Sequence, residues 1–261
     1  MEVSIDPFNP NYSQYVNQGG IARRAKLIEN IRKENPNTLV FDAGDIFQGT
    51  PYFNYYGGSL EFKLMSMLKY DAATLGNHDF DNGIEGLYKQ LPHASFDFIC
   101  SNYDFSNTIM HYHTKPFKIY ILEGKKIDVF GLGIDLLGKV VPYFYKETKY
   151  LDPVEISQDM TRILKYENQC DLIICLSHLG YEYDNSDKIS DLKLATLTKD
   201  IDLIIGGHTH TFMQNPTVVK NLANKTTLVN QAGCWGIKLG RLDFYFNNNK
   251  PSHVNGTSIN I

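Results

Sequence analysis

The chain has 261 residues, of which 43% are hydrophobic and 21% charged, with a formal net charge of -4 and a pI near 6.1. Such a composition is that of a globular protein with a real core. The acidic balance and scattered basic residues argue against a nucleic-acid-binding surface, and no apolar run approaches the ~20 residues of a membrane helix.

Residues 1–20 are polar and turn-rich, with Asn9-Pro10-Asn11 and Gly19-Gly20, and read as loop. A helix is predicted over 21–33, with Ala22, Ala25, Ile28 and Ile31 on one face, and Asn35-Pro36-Asn37 stops it. A strand over 38–42 then ends in a loop that holds Asp45. The unit recurs as a helix over 59–69 and a strand over 71–75, with Gly76-Asn77-His78-Asp79 at its exit. Further strands are expected near 96–100, 117–122 and 126–133. A helix near 154–167 precedes a strand over 171–176 that delivers His178. Another, over about 187–198, precedes a strand over 201–205 that delivers His208 and His210. Strands over 227–230 and 240–246 close the fold, and the polar residues 248–261 read as a frayed tail. Strands alternating with helices imply one layered α/β or α+β domain over 21–247, with helices outside.

The cysteines, Cys100, Cys170, Cys175 and Cys234, form no Cys-x-x-Cys pair. Cys170 and Cys175 flank a predicted strand about 16 Å long, beyond disulfide reach, so four reduced and mostly buried thiols are expected.

Four short motifs each close an apolar run: Gly44-Asp45, Gly76 to Asp79, Ser177-His178, and Gly206-Gly207-His208-Thr209-His210. Ligands gather at the carboxyl ends of strands in open α/β sheets, so these distant segments can converge. Asp45 offers a hard, charged oxygen able to bridge two cations. Asn77 offers a neutral carbonyl oxygen, and His178, His208 and His210 offer imidazole nitrogens. A mixed oxygen and nitrogen set suits Mn, Zn, Fe or Co better than Ca or an all-thiolate zinc site.

Singly, each motif has an ordinary reading. Asp45 serves as a turn carboxylate, the Asn-Gly segment as a turn with a capping Asp, His178 as a core histidine, and His208 with His210 as an edge-strand pair. Four in series, in one local context, outweigh those readings. Asp42 and Asp79 are expected to cap turns or support the site, and His93, His111, His113 and His253 to be structural. Tyr52, Phe53, Tyr55 and Tyr56 are expected to pack, with a substrate mouth as the alternative.

These motifs resemble those of the 5'-nucleotidase family of calcineurin-like metallophosphoesterases, from about Gly19 to Phe246. The likeness includes Phe41-Asp42-Ala43-Gly44-Asp45, Gly49-Thr50 and Gly76-Asn77-His78-Asp79-Phe80-Asp81. The resemblance implies a four-layer β-sandwich flanked by helices and a dinuclear-metal phosphoester hydrolase. In it Asp45 bridges two divalent ions; Asn77, His178 and His208 complete one site, and His210 belongs to the other. His78 is then no ligand but stabilises the phosphoryl group or protonates the leaving alkoxide, oriented by Asp81. A metal-bridging hydroxide is implied to attack phosphorus in line. The resemblance implies a nucleotide substrate, with nucleoside 5'-monophosphates, 2',3'-cyclic nucleotides and UDP-sugars as open alternatives, and a C-terminal substrate-binding domain that a separate polypeptide could supply. An exported or periplasmic location is implied too, although residues 1–7 lack the pattern of a signal peptide.

One family element has no counterpart. The family opens on a strand ending in Asp-x-His, and no Asp-x-His precedes Asp45. The second site then keeps only Asp45 and His210, and Met1 is expected to be an internal methionine of a longer protein. Without that strand the rival reading is a non-catalytic module holding one metal through Asp45, Asn77, His178 and His208. A phosphoprotein phosphatase is a lesser alternative.

Overall fold

The computed structural model describes residues 15–47, 51–185, 187–247 and 250–261. The expectation of a loop over 1–20 falls mostly on residues outside these.

The strands in chain order are Phe41–Asp42 (β1), Ala72–Ala73 (β2), Asp97–Phe98 (β3), Tyr103–Asp104 (β4), Phe117–Leu122 (β5), Lys125–Leu132 (β6), Lys149–Tyr150 (β7), Leu172–Ser177 (β8), Leu203–Gly206 (β9), Thr217–Lys220 (β10), Thr226–Gln231 (β11), Lys238–Asn247 (β12) and Lys250–Asn260 (β13). The helices are Ile21–Glu34 (α1), Pro51–Tyr56 (α2), Ser59–Met67 (α3), Gly83–Gln90 (α4), Pro142–Tyr145 (α5), Pro153–Arg162 (α6) and Asp191–Leu197 (α7).

Two sheets form the middle of the molecule. One is parallel, in the order β1-β2-β3, and the other runs β10-β11-β9-β8-β6-β5 with β11, β9, β8 and β6 parallel to one another. Period-two side-chain alternation decides how they stack. In β8, Leu172, Ile174 and Leu176 face the other sheet with Ala72, Ile99, Val129 and Leu203. Ile173 and Cys175 face outward, against Leu194 of α7 and Leu164 just beyond α6. On the far side, Ile28 of α1, Phe62 of α3, and Ile84 and Leu87 of α4 cover Ala73, Leu75 and Phe98. The result is helix, sheet, sheet, helix: four layers, as the resemblance implied.

Capping explains several boundaries. Asp152 accepts from the N–H groups of Val154 and Glu155 and starts α6, and Ser190 accepts from Lys193 N–H and starts α7, four residues later than expected. The helix expected to run to 167 loosens after Arg162 into a wide turn over Ile163–Glu167. α1 buries Ile28 and Ile31, while Ala22 is exposed.

Two expectations are corrected. The strand expected over 38–42 pairs only at Phe41 and Asp42, because Val40 gives its N–H to the Asp71 carboxylate at 2.7 Å instead of to a neighbouring strand. The tail expected to fray over 248–261 is a strand where it is described. β13 pairs antiparallel with β12 from Lys238↔Asn260 to Asn247↔Lys250, and Ile261 extends it, donating its N–H to the Ile237 carbonyl and accepting from the Gly19 N–H. Its polarity misleads because one face meets solvent: Val254, Gly256 and Ser258 turn inward while Asn255 and Thr257 are exposed.

A cavity of about 1710 Å³ separates β1 from β12. Among the described residues each of these strands is paired along one edge only, and both strands line the cavity. The floor is the inner face of the six-stranded sheet, at Ile127, Ile174 and Leu203. One end opens at Asn37 and Glu123, the other at Asp45, His78, His178, His208 and His210.

Candidate metal centre

The site lies where the strands end. Asp45 follows β1, Asn77 and His78 follow β2, His178 follows β8, and His208 and His210 follow β9. Parallel strands placed side by side bring these exits to one rim.

Asp45 sits in the left-handed backbone region at φ 60°, a conformation that an Asp adopts at some cost. Asp79 holds it there. This wholly buried carboxylate accepts from the N–H groups of Asp45 (3.0 Å), Ile46 (2.9 Å), Phe47 (3.3 Å) and Gly76 (2.8 Å). Burial, reinforced by the Asp45 charge, pushes Asp79 up to about 7. Asp42 plays a smaller part, accepting from Gly44 N–H at 3.0 Å. Both are supports, as expected.

His178 is 1% exposed, and its Nδ1 lies 2.6 Å from the Ala43 carbonyl. A carbonyl only accepts, so Nδ1 carries a proton and Nε2 is aimed elsewhere. It points at Oδ2 of Asp45, 2.9 Å away, yet without the alignment of a hydrogen bond. Oδ1 of Asn77 is likewise buried, with no hydrogen-bond partner among the described residues. Buried polar atoms without a hydrogen-bond partner cost free energy, and a cation among them would offset that cost.

His208 completes the group. The ligand atoms of Asp45, His178 and His208 lie within 4.8 Å of one another, the one such cluster among the described His, Cys, Asp and Glu side chains. Burial, then the His178 charge, lowers His208 to about 4, which leaves its imidazole neutral and free to donate a lone pair. For Asp45, burial acts upward but the His178 ring and the His78 N–H outweigh it, and the carboxyl is held below its usual value. At Gly76 a side chain is excluded: a Cβ would overlap Oδ1 of Asp45 and stand 2.6 Å from its nitrogen. The donor set, the partnerless buried atoms of His178 and Asn77, and this cradle fit one divalent cation.

His210 stands apart from the cluster. It is exposed, at φ 54°, and lines the same cavity mouth as His78. The His78 ring is about a third exposed, with Nδ1 2.9 Å from Oδ2 of Asp81. Of the aromatic group, Phe53 is buried, but Tyr52, Tyr55 and Tyr56 are exposed, Tyr55 at 86%, so packing accounts for one of the four. The cysteines are free, three of them buried.

Two residues behind the site carried no motif signal. Asp191 lies at a helix start and Gln231 at a strand end, and only the register Ser177↔Gly206↔Gln231 shows that they meet beneath the ligand loops.

The calcineurin-like phosphoesterase model matches residues 17–212. The chain is 34% identical over 258 residues to the trifunctional nucleotide phosphoesterase protein YfkN of Bacillus subtilis, spanning 86% of this chain and 17% of that protein. It is 32% identical over 259 residues to a 5'-nucleotidase of Vibrio parahaemolyticus, spanning 90% of this chain and 46% of the relative. The structure superposes on a 5'-nucleotidase precursor from Thermus thermophilus with a TM-score of 0.84 and 33% identity, over 94% of this chain and 49% of that one. The chain thus spans less than half the length of these relatives. The matched stretch contains every loop that carries Asp45, Asn77, His178, His208 and His210, so fold and site point the same way: this chain belongs to the calcineurin-like phosphoesterase family.

Proposed function

We propose that the protein is a metal-dependent hydrolase of small phosphoesters, acting on nucleotides, with a divalent cation held by Asp45, Asn77, His178 and His208. The observation that carries this reading is the gathering of ligand atoms from Asp45, His178 and His208 within 4.8 Å of one another, beside an Asn77 Oδ1 with no hydrogen-bond partner among the described residues. When bound, a divalent cation supplies Lewis acidity and an activated water.

The chain's own residues do the rest. Asp81 accepts from His78 Nδ1 and fixes the ring's tautomer, which leaves the other nitrogen at the cavity mouth for a phosphoryl oxygen or leaving group. Asp79 and the His78 N–H hold the Asp45 carboxylate in place before any ligand arrives. Nucleotides are favoured because the relatives named above are called nucleotidases or nucleotide phosphoesterases. A further domain, in the same chain or separate, would then recognise the base.

The second reading, a one-metal module without turnover, is favoured by a single observation. Among the described residues Asp45 and His210 are what remain for a second ion, and the strand edges of β1 and β12 that line the cavity have no described partner strand. The deciding experiment measures hydrolysis of nucleoside 5'-monophosphates, 2',3'-cyclic nucleotides and UDP-sugars with Mn²⁺, for this chain and for an N-terminally extended one. Turnover by the extended chain supports the enzyme reading. Metal binding without turnover in both supports the module.

A further inference from the structure

The two loops that deliver the histidines are tied together from behind by one amide. Gln231, 1% exposed, uses every hydrogen-bonding position of its side chain. Its Oε1 accepts from the Thr211 N–H at 3.0 Å and from the Thr209 hydroxyl at 3.3 Å. Its Nε2 donates to the Gly207 carbonyl at 2.7 Å and to Oδ2 of Asp191 at 3.3 Å. Gln231 therefore brackets the stretch from 207 to 211 on both sides of His208 and His210.

Asp191 carries the tie to the other loop. It is wholly buried, and its Oδ1 accepts from the Ser177 hydroxyl at 2.5 Å, one residue before His178. Its own N–H donates to the Gly180 carbonyl, beyond His178. Gly206 makes the arrangement fit, since a Cβ there would overlap Oδ2 of Asp191. The bracketed stretch needs a restraint, because His208 and His210 both hold positive φ, at 68° and 54°. Such backbone persists only where its surroundings over-determine it.

We infer that Gln231, backed by Asp191, is a positioning residue for the metal centre: it holds His208 and His210 in their left-handed conformations and sets their distance from His178. The inference rests on reading Asp45, His178 and His208 as a cation site. Neither Gln231 nor Asp191 touches the cation or the substrate in this arrangement. Their effect is exerted through the loops.

The test is Mn²⁺ binding by calorimetry, with thermal unfolding of the metal-free protein measured alongside. Gln231→Met keeps the volume and removes the hydrogen bonds. It is expected to weaken Mn²⁺ binding by about 10- to 100-fold, the range for residues that orient metal ligands. Gln231→Glu keeps the acceptor for Thr211 but sets a carboxylate oxygen against the Gly207 carbonyl and Asp191, and is expected to weaken binding at least as much as Gln231→Met. Should Gln231→Met fail to fold, Asp191→Asn replaces it, setting a donor against Gln231 Nε2 with little change in volume, and the same weakening is expected. Mn²⁺ affinity within threefold of wild type in the folded variants overturns the inference, as does a loss of affinity fully matched by loss of the native fold. No Mn²⁺ binding by the wild type would instead overturn the cation site itself.

Discussion

His78 donates its backbone N–H to Oδ1 of Asp45 at 2.7 Å, while its ring lies at the cavity mouth paired with Asp81. One residue thus serves two purposes through separate atoms. The main chain orients the carboxylate, and in the proposed function the side chain does the chemistry. His78→Ala keeps the N–H and removes the ring. Turnover is expected to fall by about 10²- to 10⁴-fold, the usual worth of a general acid or base, with bound metal unchanged. Loss of metal along with activity, by elemental analysis, would make His78 a ligand and contradict this division.

Cation binding should release a proton. Burial pulls the His178 imidazole down, but the Asp45 charge more than offsets it, and the net shift is upward. The ring therefore stays protonated to higher pH than a free histidine, and a cation must displace that proton. Mn²⁺ affinity is expected to fall as the pH falls through this region. Calorimetry in two buffers of different ionisation enthalpy measures the proton released. Binding with no net release would show that His178 already presents its lone pair.

Gly76→Ala tests the crowding around Asp45. The added methyl would meet Asp45 and the His178 ring, and neither is a flexible chain end. A destabilisation of about 1–3 kcal/mol is expected, with Mn²⁺ binding weakened as well. Thermal unfolding and Mn²⁺ titration of one preparation check both, and unchanged values in both would mean that the loops yield freely.

Asp128 makes a separate prediction, away from the site. It is wholly buried in β6, both carboxylate oxygens lack a hydrogen-bond partner among the described residues, and burial lifts its pKa to about 8 from an unfolded value of 3.8. The folded protein holds this proton where the unfolded chain has lost it. The stability it contributes is full below the unfolded value and drains away as the pH rises through the folded one. Asp128→Asn stays neutral throughout, so its gain in thermal stability should be several degrees at about pH 8 and much smaller at about pH 4. An equal gain at both would mean that the carboxyl is not held neutral.

How far the sequence revealed all this depended on how local each signal was. Apolar runs closed by ligand-type residues marked β8 and β9 and placed His178 and His208, because a strand buried on both faces must be apolar throughout. Asp45, Asn77 and His78 were legible for the same reason. The strand β13 was not, since its order comes from backbone pairing with β12, and its polar exposed face reads like loop. β4 and β7 pair only two residues each, too few to leave a pattern. Gln231 and Asp191 were invisible because their importance lies in register across three strands, which no local spacing encodes.

The central claim is that a divalent cation sits among Asp45, Asn77, His178 and His208. Anomalous diffraction from crystals grown with Mn²⁺ or Zn²⁺ tests it most directly. The account predicts a peak about 2.0–2.3 Å from Asp45 Oδ2, His178 Nε2 and a ring nitrogen of His208. A fully loaded crystal with no peak there, or with its ion bound elsewhere, would contradict it.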